Sequence, residues 1–364
     1  MNLSSLCNDL RAFLNRTSGE VSVMLLPRDD PRREAWLAAD STSGQIHAVW
    51  PSRELRWDAA SAGMMLRDVR CFCLGLPLPT LVEGGYVGRP LPDVRVTRQC
   101  DALGHQLGCA TLPGGDQARE WHDVLLQLLL ELGRRAGLAI ADEVRSLFAH
   151  LLDHDEQVQG QRQGLRPDLV ATMHAAMRTG GRETLRQVLM DIKTVFAGGG
   201  AYVRARASRQ RSRAVEVREG EVPEEVRRTA READWAMARR AALAAGRADP
   251  GQRMPRGYVG AALTAYLDAS FPPVRGLVAG SYGEISPELR RFVRRCAELA
   301  GEREWREMGA RSAAEASGIL QGQMLRRLSV ASHAGHMRVL HRRLRYVGMS
   351  RAQAERAGWA QVIR

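Results

Sequence analysis

The chain has 364 residues, 45% of them hydrophobic and 26% charged, and its 53 basic against 41 acidic side chains leave a formal net charge of +12. No apolar run approaches the ~18 to 20 residues a membrane span needs, so a membrane protein is excluded and a soluble chain of two or three modules is expected. The excess positive charge points to a polyanionic partner, nucleic acid first, because each phosphate neutralised releases a counterion, while aromatics at 5% argue against base-stacking platforms.

The opening segment carries acid and amide side chains where a signal peptide needs an apolar stretch, which predicts an intracellular protein, nuclear in a eukaryotic cell. Six cysteines, at 7, 71, 73, 100, 109 and 296, are too scattered for a secreted disulfide scaffold and suit reduced thiols or a metal site. Among 53 basic residues Lys193 is the only lysine. Arginine stays protonated and forks, whereas lysine is a compact point donor, so a lysine retained in such a composition marks chemistry that arginine cannot perform.

In chain order, residues 1–95 read as a mixed N-terminal region. It holds a helix near Leu3–Asn15, a short strand at Val21–Leu26 and a helix from about Ala59 to Leu76, stopped by Pro77 and Pro79. Residues 96–300 hold the centre. A Gly- and Pro-rich stretch gives way to an apolar helix pattern over Gln117–Ala136, closed by Gly137, and then to a β-like piece at Leu138–Ile140. A polar loop is predicted over Asp153–Gly164, followed by strands at Pro167–Met173 and Val188–Phe196 joined through Gly180 and Gly181, the glycine triplet 198–200 ending the second. A basic run from Arg204 to Arg213 precedes a helix over Glu221–Leu243 whose opposite charges three and four apart fit a solvated face. A strand at Val274–Ala279 and a helix start at Ser286–Pro287 follow. Residues 301–364 read as a basic helical C-terminal region, in which His333, His336 and His341 share helical spacing with Arg338, Arg342 and Arg343. The order is helix, three strands, helix, strand, helix, an α/β pattern.

Side chains alternate along a strand, so Val188, Met190, Ile192, Thr194 and Phe196 share one face of the second strand and Leu189, Asp191, Lys193 and Val195 the other. The first of those faces is predicted to be core, and the second to present an acid beside an amine. The preceding strand opens with Pro167–Asp168, and pairing of the two as a hairpin would set Asp168 beside Asp191. Two carboxylates at that separation suit Mg²⁺, which takes one or two protein carboxylates and keeps several waters, and a neighbouring lysine can polarise the attacking water.

Pro167–Asp168 followed by Asp191–Ile192–Lys193 on the next strand resembles the motif of the PD-(D/E)xK restriction-like nucleases, and the order of elements resembles their core over roughly residues 100–300. The resemblance implies an α/β restriction-endonuclease-like core with helical N- and C-terminal additions, Mg²⁺-dependent cleavage of DNA phosphodiesters, and Asp168, Asp191 and Lys193 as site residues. It also implies an acid early in the first helix aimed at the same metal, with Glu120 the first candidate and Asp123 and Glu143 the others. Cys100, His105 and Cys109, followed by His122 at the start of the apolar helix, are similar to the cysteine/histidine stretch ahead of restriction-like endonuclease domains in non-LTR retroelements and related mobile-element proteins, as is the Leu74–Pro79 phrase. Two thiolates and two imidazoles suit tetrahedral Zn²⁺. The sequence departs from that pattern, which has a further cysteine pair upstream and an acid before the histidine, where Arg98 and Gly104 stand here. The rival readings are an inactive nuclease-fold module that binds nucleic acid, and a helical scaffold or assembly protein.

Overall fold

The computed structural model describes residues 26–27, 30–40, 42, 59–113, 117–142, 147, 151, 167–176, 183–207 and 213–362. The predicted helix at Leu3–Asn15, nearly all of the strand at 21–26, the polar loop 153–164, the Gly180–Gly181 pair and Glu143 lie outside them. Within them the protein is mixed α/β, with eleven α-helices and a four-stranded mixed sheet. None of the described helices is long and apolar enough to cross a membrane.

The N-terminal part contributes α1 (Pro31–Ala38), α2 (Ala59–Cys73), α3 (Pro79–Glu83), a two-stranded ribbon of β1 (Pro90–Leu91) and β2 (Arg98–Gln99), and α4 (His105–Cys109). Then α5 (Gln117–Arg135) runs as its apolar repeat predicts. Gly137 ends it at φ +74°, with Gly137 N–H on the Arg134 carbonyl and Leu138 N–H on the Gly133 carbonyl, a Schellman closure that only a left-handed residue completes cheaply.

The sheet follows chain order. β3 (Ile140–Asp142), β4 (Leu169–Ala176) and β5 (Glu183–Val195) form an antiparallel meander, and β6 (Arg275–Gly280) lies parallel to β5. A parallel neighbour needs a crossover. Three helices supply it here: α6 (Gly200–Ala207), α7 (Ala214–Ala244) and α8 (Ala262–Ser270). After β6 come α9 (Pro287–Glu304), α10 (Ala313–Arg343) and α11 (Arg351–Val362). Ser286 caps α9 as expected, its hydroxyl accepting the Leu289 N–H at 3.4 Å, and also accepts the Val278 N–H at 3.1 Å, so it fastens the helix start to β6.

Helices cover both faces of the sheet. Val188, Met190 and Ile192 pack with Leu169, Ala171, Met173, Leu277 and Ala279 against α5, α9 and α10, the core face that alternation predicts. The opposite face, which carries the acid and the amine, is also largely covered: Val170 and Leu189 are buried against Ala230 and Ala233 of α7, Leu263 and Leu267 of α8 and Phe271 just after it. A departure from expectation is in α10, where His333 and His336 are 1% and 2% exposed and Arg343 is buried. That face is core, not a basic solvated surface. A third core joins the N-terminal part to the rest, placing Phe72, Leu78 and Leu81 with Val195, Val278, Met337 and Leu340.

The arginines of α7 are engaged by acids: Arg218 by Glu221 and Glu225, Arg227 by Asp268, Arg228 by Glu232, Arg231 by Glu224, and Arg239 by Asp249. This helix is therefore largely self-neutralised, as its sequence spacing indicated.

Candidate active site

The β4–β5 register decides where the predicted acids fall. Leu169 pairs with Met190, so one step further toward the start of β4 sets Asp168 opposite Asp191. The Asp168 carboxylate turns across the strand end and its Oδ2 accepts the Ile192 N–H at 2.6 Å. Asp191, opposite it, lies near enough for the Asp168 charge to act on it, and Lys193, two residues on and on the same face of β5, places Nζ 2.7 Å from Asp191 Oδ2. The acid–acid–lysine group that strand alternation predicts is thus assembled. Its side chains reach solvent, Lys193 at 29% exposure and Asp168 at 20%, while Asp191 at 11% is deepest.

The third neighbour is His122. Trp121, 0% exposed, anchors the second turn of α5 in the main core. The next residue round the helix then faces the strand end, where His122 Nε2 lies 3.1 Å from Asp168 Oδ2 and Nδ1 lies 3.2 Å from Asp123 Oδ1. Close passage of α5 over α10 requires Gly335: a Cβ there would stand 2.6 Å from Trp121 Cδ1 and 3.3 Å from Trp121 Cα.

Electrostatics separate the two acids. Burial alone would raise Asp168, but the His122 contact and the Ile192 amide outweigh it and hold the carboxyl below its ordinary range. Asp191 moves the other way, to about 6, chiefly through burial and with the Asp168 charge adding, while Lys193 opposes the rise. His122 is opposed by burial, yet Asp168 and Asp123 together raise it. Crowded carboxylates of unlike proton affinity are common at acid–base and cation sites.

The remaining predicted residues are placed elsewhere. Glu120 is taken by Arg342, with Nη1 to Oε2 at 3.0 Å, and Asp123 is 52% exposed, near Arg119 and His122. The four residues expected to bind zinc are not brought together. Cys100 is buried with its thiol toward the Asp101 carbonyl at 3.8 Å, and Cys109 donates to the Ala197 carbonyl at 3.2 Å. His105 Nε2 is 3.3 Å from the Tyr282 hydroxyl, and His122 is at Asp168. Burial raises both thiols, Cys100 to about 11, which favours protonated sulfur over the thiolate that zinc takes. These donors do not fit a shared zinc.

Among the described residues, no three His, Cys, Asp or Glu side chains stand arranged to hold a metal ion, and Asp168, Asp191 and His122 form a chain of contacts instead of a shell about a point. Their donor chemistry does fit a divalent cation, since two carboxylates crowded at one strand end are what a dication would neutralise. His122 is the site residue that linear reading misassigned. The signal was present in its position beside Trp121 near the start of the helix preceding the meander.

Comparison with protein-family models, curated proteins and solved structures gives no match to this chain. The site is therefore read from its own geometry.

Proposed function

We propose that the chain is a metal-dependent endonuclease of restriction-like type that cleaves DNA phosphodiesters at Asp168, Asp191 and Lys193. The observation that carries the reading is the strand register that sets Asp168 opposite Asp191, with Lys193 on the same face of β5. The succession of α5, the meander β3–β4–β5, the crossover helices and parallel β6 supports it, because that is the element order the motif's resemblance implies.

Asp168 and Asp191 would hold the ion, Mg²⁺ by the resemblance. Such an ion, when bound, acts as a Lewis acid on a phosphoryl oxygen and acidifies a bound water. The Ile192 amide and His122 keep Asp168 ionised and oriented. Lys193, held by Asp191, aims an ammonium at solvent beside the acids, where it can orient the attacking water and offset negative charge developing at phosphorus. The +12 net charge draws the polyanion to the surface.

The test is nicking of supercoiled plasmid with Mg²⁺, with Mn²⁺ and with chelator. Wild type is expected to nick only with metal. Lys193→Arg should keep DNA binding and its salt dependence, because the charge is retained, and lose cleavage by ~100-fold, because a guanidinium misplaces the donor by about 1 Å. Wild-type protein that binds DNA and cuts under neither metal refutes the enzyme. It would promote a second reading, a nuclease-fold module that binds nucleic acid without chemistry, which the diversion of Glu120 to Arg342 favours.

A further inference from the structure

We propose that the loop of residues 245–261, between α7 and α8, is a clamp on the sugar-phosphate backbone of duplex DNA, holding it through Arg247, Arg253 and Arg256. The inference rests on the reading of DNA as the substrate, and it adds where on the protein the duplex is gripped.

The positive charge of this region is unevenly matched. Along α7, Arg218, Arg227, Arg228, Arg231 and Arg239 each face an acid. In the loop that follows, Arg247, Arg253 and Arg256 are exposed, and no acid pairs with them among the described residues. The loop's one acid, Asp249, is already held by Arg239, at 2.7 and 2.6 Å. Three unbalanced cations thus stand in a short stretch of surface.

Both ends of the loop are fixed. Asp249 ties its start to α7 and accepts the Gly251 N–H at 2.9 Å, while the buried Asp234 carboxylate ties its end by accepting the N–H groups of Ala261, Leu263 and Thr264. Between the ties Gly251, Gly257 and Gly260 stand at φ +98°, +81° and +80°, turning the chain without helix or strand. Connections longer than about 12–15 residues with no regular structure are uncommon and usually bind something. Anchoring at both ends lowers the ordering cost of such binding.

Position links the loop to cleavage. The helices at its two ends pack on Val170 and Leu189, through Ala230 and Ala233 of α7 and Leu263 and Leu267 of α8. Val170 and Leu189 are cross-strand partners, and Asp168 and Asp191 lie two residues further along the same face, about 7 Å away at the strand rise. The loop therefore springs from helices seated on the sheet face that carries Asp168, Asp191 and Lys193. Arginine forks match phosphate oxygens in pairs. Val259, at 78% exposure between Gly257 and Gly260, offers an apolar contact to the sugar and base edges that line a groove.

The experiment measures binding of the full-length chain to a short DNA duplex at salt concentrations from about 50 to 200 mM. Each phosphate contact adds about 0.9 to the slope of log affinity against log salt, so changing Arg247, Arg253 and Arg256 together to alanine should flatten the slope by about 2.7. The same three changed to lysine should recover most of it, because counterion release follows charge. Arg228→Gln, at an acid-paired position of α7, should leave the slope unchanged. Urea midpoints equal to that of wild type check that the surface substitutions leave the fold intact. In wild type, saturating duplex should protect the three arginines from phenylglyoxal, a readout that needs no variant. A triple-alanine protein with the wild-type slope, or arginines that stay reactive under saturating duplex, overturns the clamp, turns attention to an acidic protein as the loop's partner and leaves the proposed function standing. Wild type that binds no duplex even at the lowest salt overturns both.

Discussion

Gly335→Ala perturbs the site from beneath without touching it. The added methyl would lie 2.6 Å from Trp121 Cδ1, 3.2 Å from Cγ and 3.3 Å from Cα. Ordinary carbon contacts begin near ~3.5 Å, so the first turns of α5 must retreat from α10 by about 1 Å. Rotation of the indole alone cannot provide this, because Trp121 Cα is itself close and the ring is enclosed by Phe196 and His336 at centroid distances of 5.1 Å each. Replacing a helical glycine returns about 1 kcal/mol of backbone propensity, and overpacking a filled core costs about 1–3 kcal/mol, so the net change is a destabilisation of up to about 2 kcal/mol. The larger consequence falls on His122, which moves with Trp121: an ~1 Å misplacement at a reacting centre can cost ~100-fold in rate. Urea unfolding gives the first quantity and metal-dependent nicking the second. The decisive arm is a double-mutant cycle with Trp121→Leu, in which the Gly335→Ala cost should shrink by about 1 kcal/mol because the clashing ring is gone. Additive costs in that cycle would refute the assignment of Gly335 to the passage of Trp121.

Asp234→Ala should destabilise by about 2–3 kcal/mol in urea unfolding, because its buried carboxylate accepts the N–H groups of Ala261 at 2.9 Å, Leu263 at 3.0 Å and Thr264 at 3.2 Å, and the Thr264 hydroxyl at 3.0 Å; Asp234→Asn should recover part of that loss, and an alanine variant within ~0.5 kcal/mol of wild type would sink the capping role. Glu284, completely buried under Tyr202 and the Tyr282 amide, is pushed up to about 7, chiefly by burial with Asp40 adding. Because the folded value exceeds the unfolded one, its contribution to stability is complete at acid pH below the ordinary carboxyl range and is lost as pH rises through about 7. Glu284→Gln should therefore gain on wild type between pH 5 and pH 8, by on the order of 3 kcal/mol, and parallel stability curves for the two proteins would contradict this.

Where structure follows from neighbours in the chain, the sequence was readable. Alternation and the Pro167–Asp168 start put Asp168, Asp191 and Lys193 at one strand end, and Gly137 and Ser286–Pro287 marked a helix stop and a helix start. The helix Ala262–Ser270 was not legible because its cap is not local: Ala261 offers no side-chain cap, and Asp234 performs that role from α7. The strand β5 begins at Glu183, before its apolar run, because pairing with β4 carries the exposed residues Leu185–Gln187 into the ladder. The burial of Leu189 on the face that carries Asp191 and Lys193 was not legible for a related reason, since a parallel partner brings crossover helices onto that face.

The misreading of His122 has a different origin, and it bears on the chemistry. The resemblance to a cysteine/histidine stretch grouped it with Cys100, His105 and Cys109, yet such a likeness does not say what each side chain can still donate or accept after folding. Both thiols turn to backbone carbonyls, and His105 turns to Tyr282. What separates His122 from them is Trp121: an indole buried in the main core fixes the rotation of α5, and that rotation turns the next side chain toward Asp168 and Asp123. A packing residue of no chemistry of its own thereby selects which of these four side chains reaches the acids, which is why Gly335, on α10 and far in sequence from any site residue, belongs among the determinants of the site.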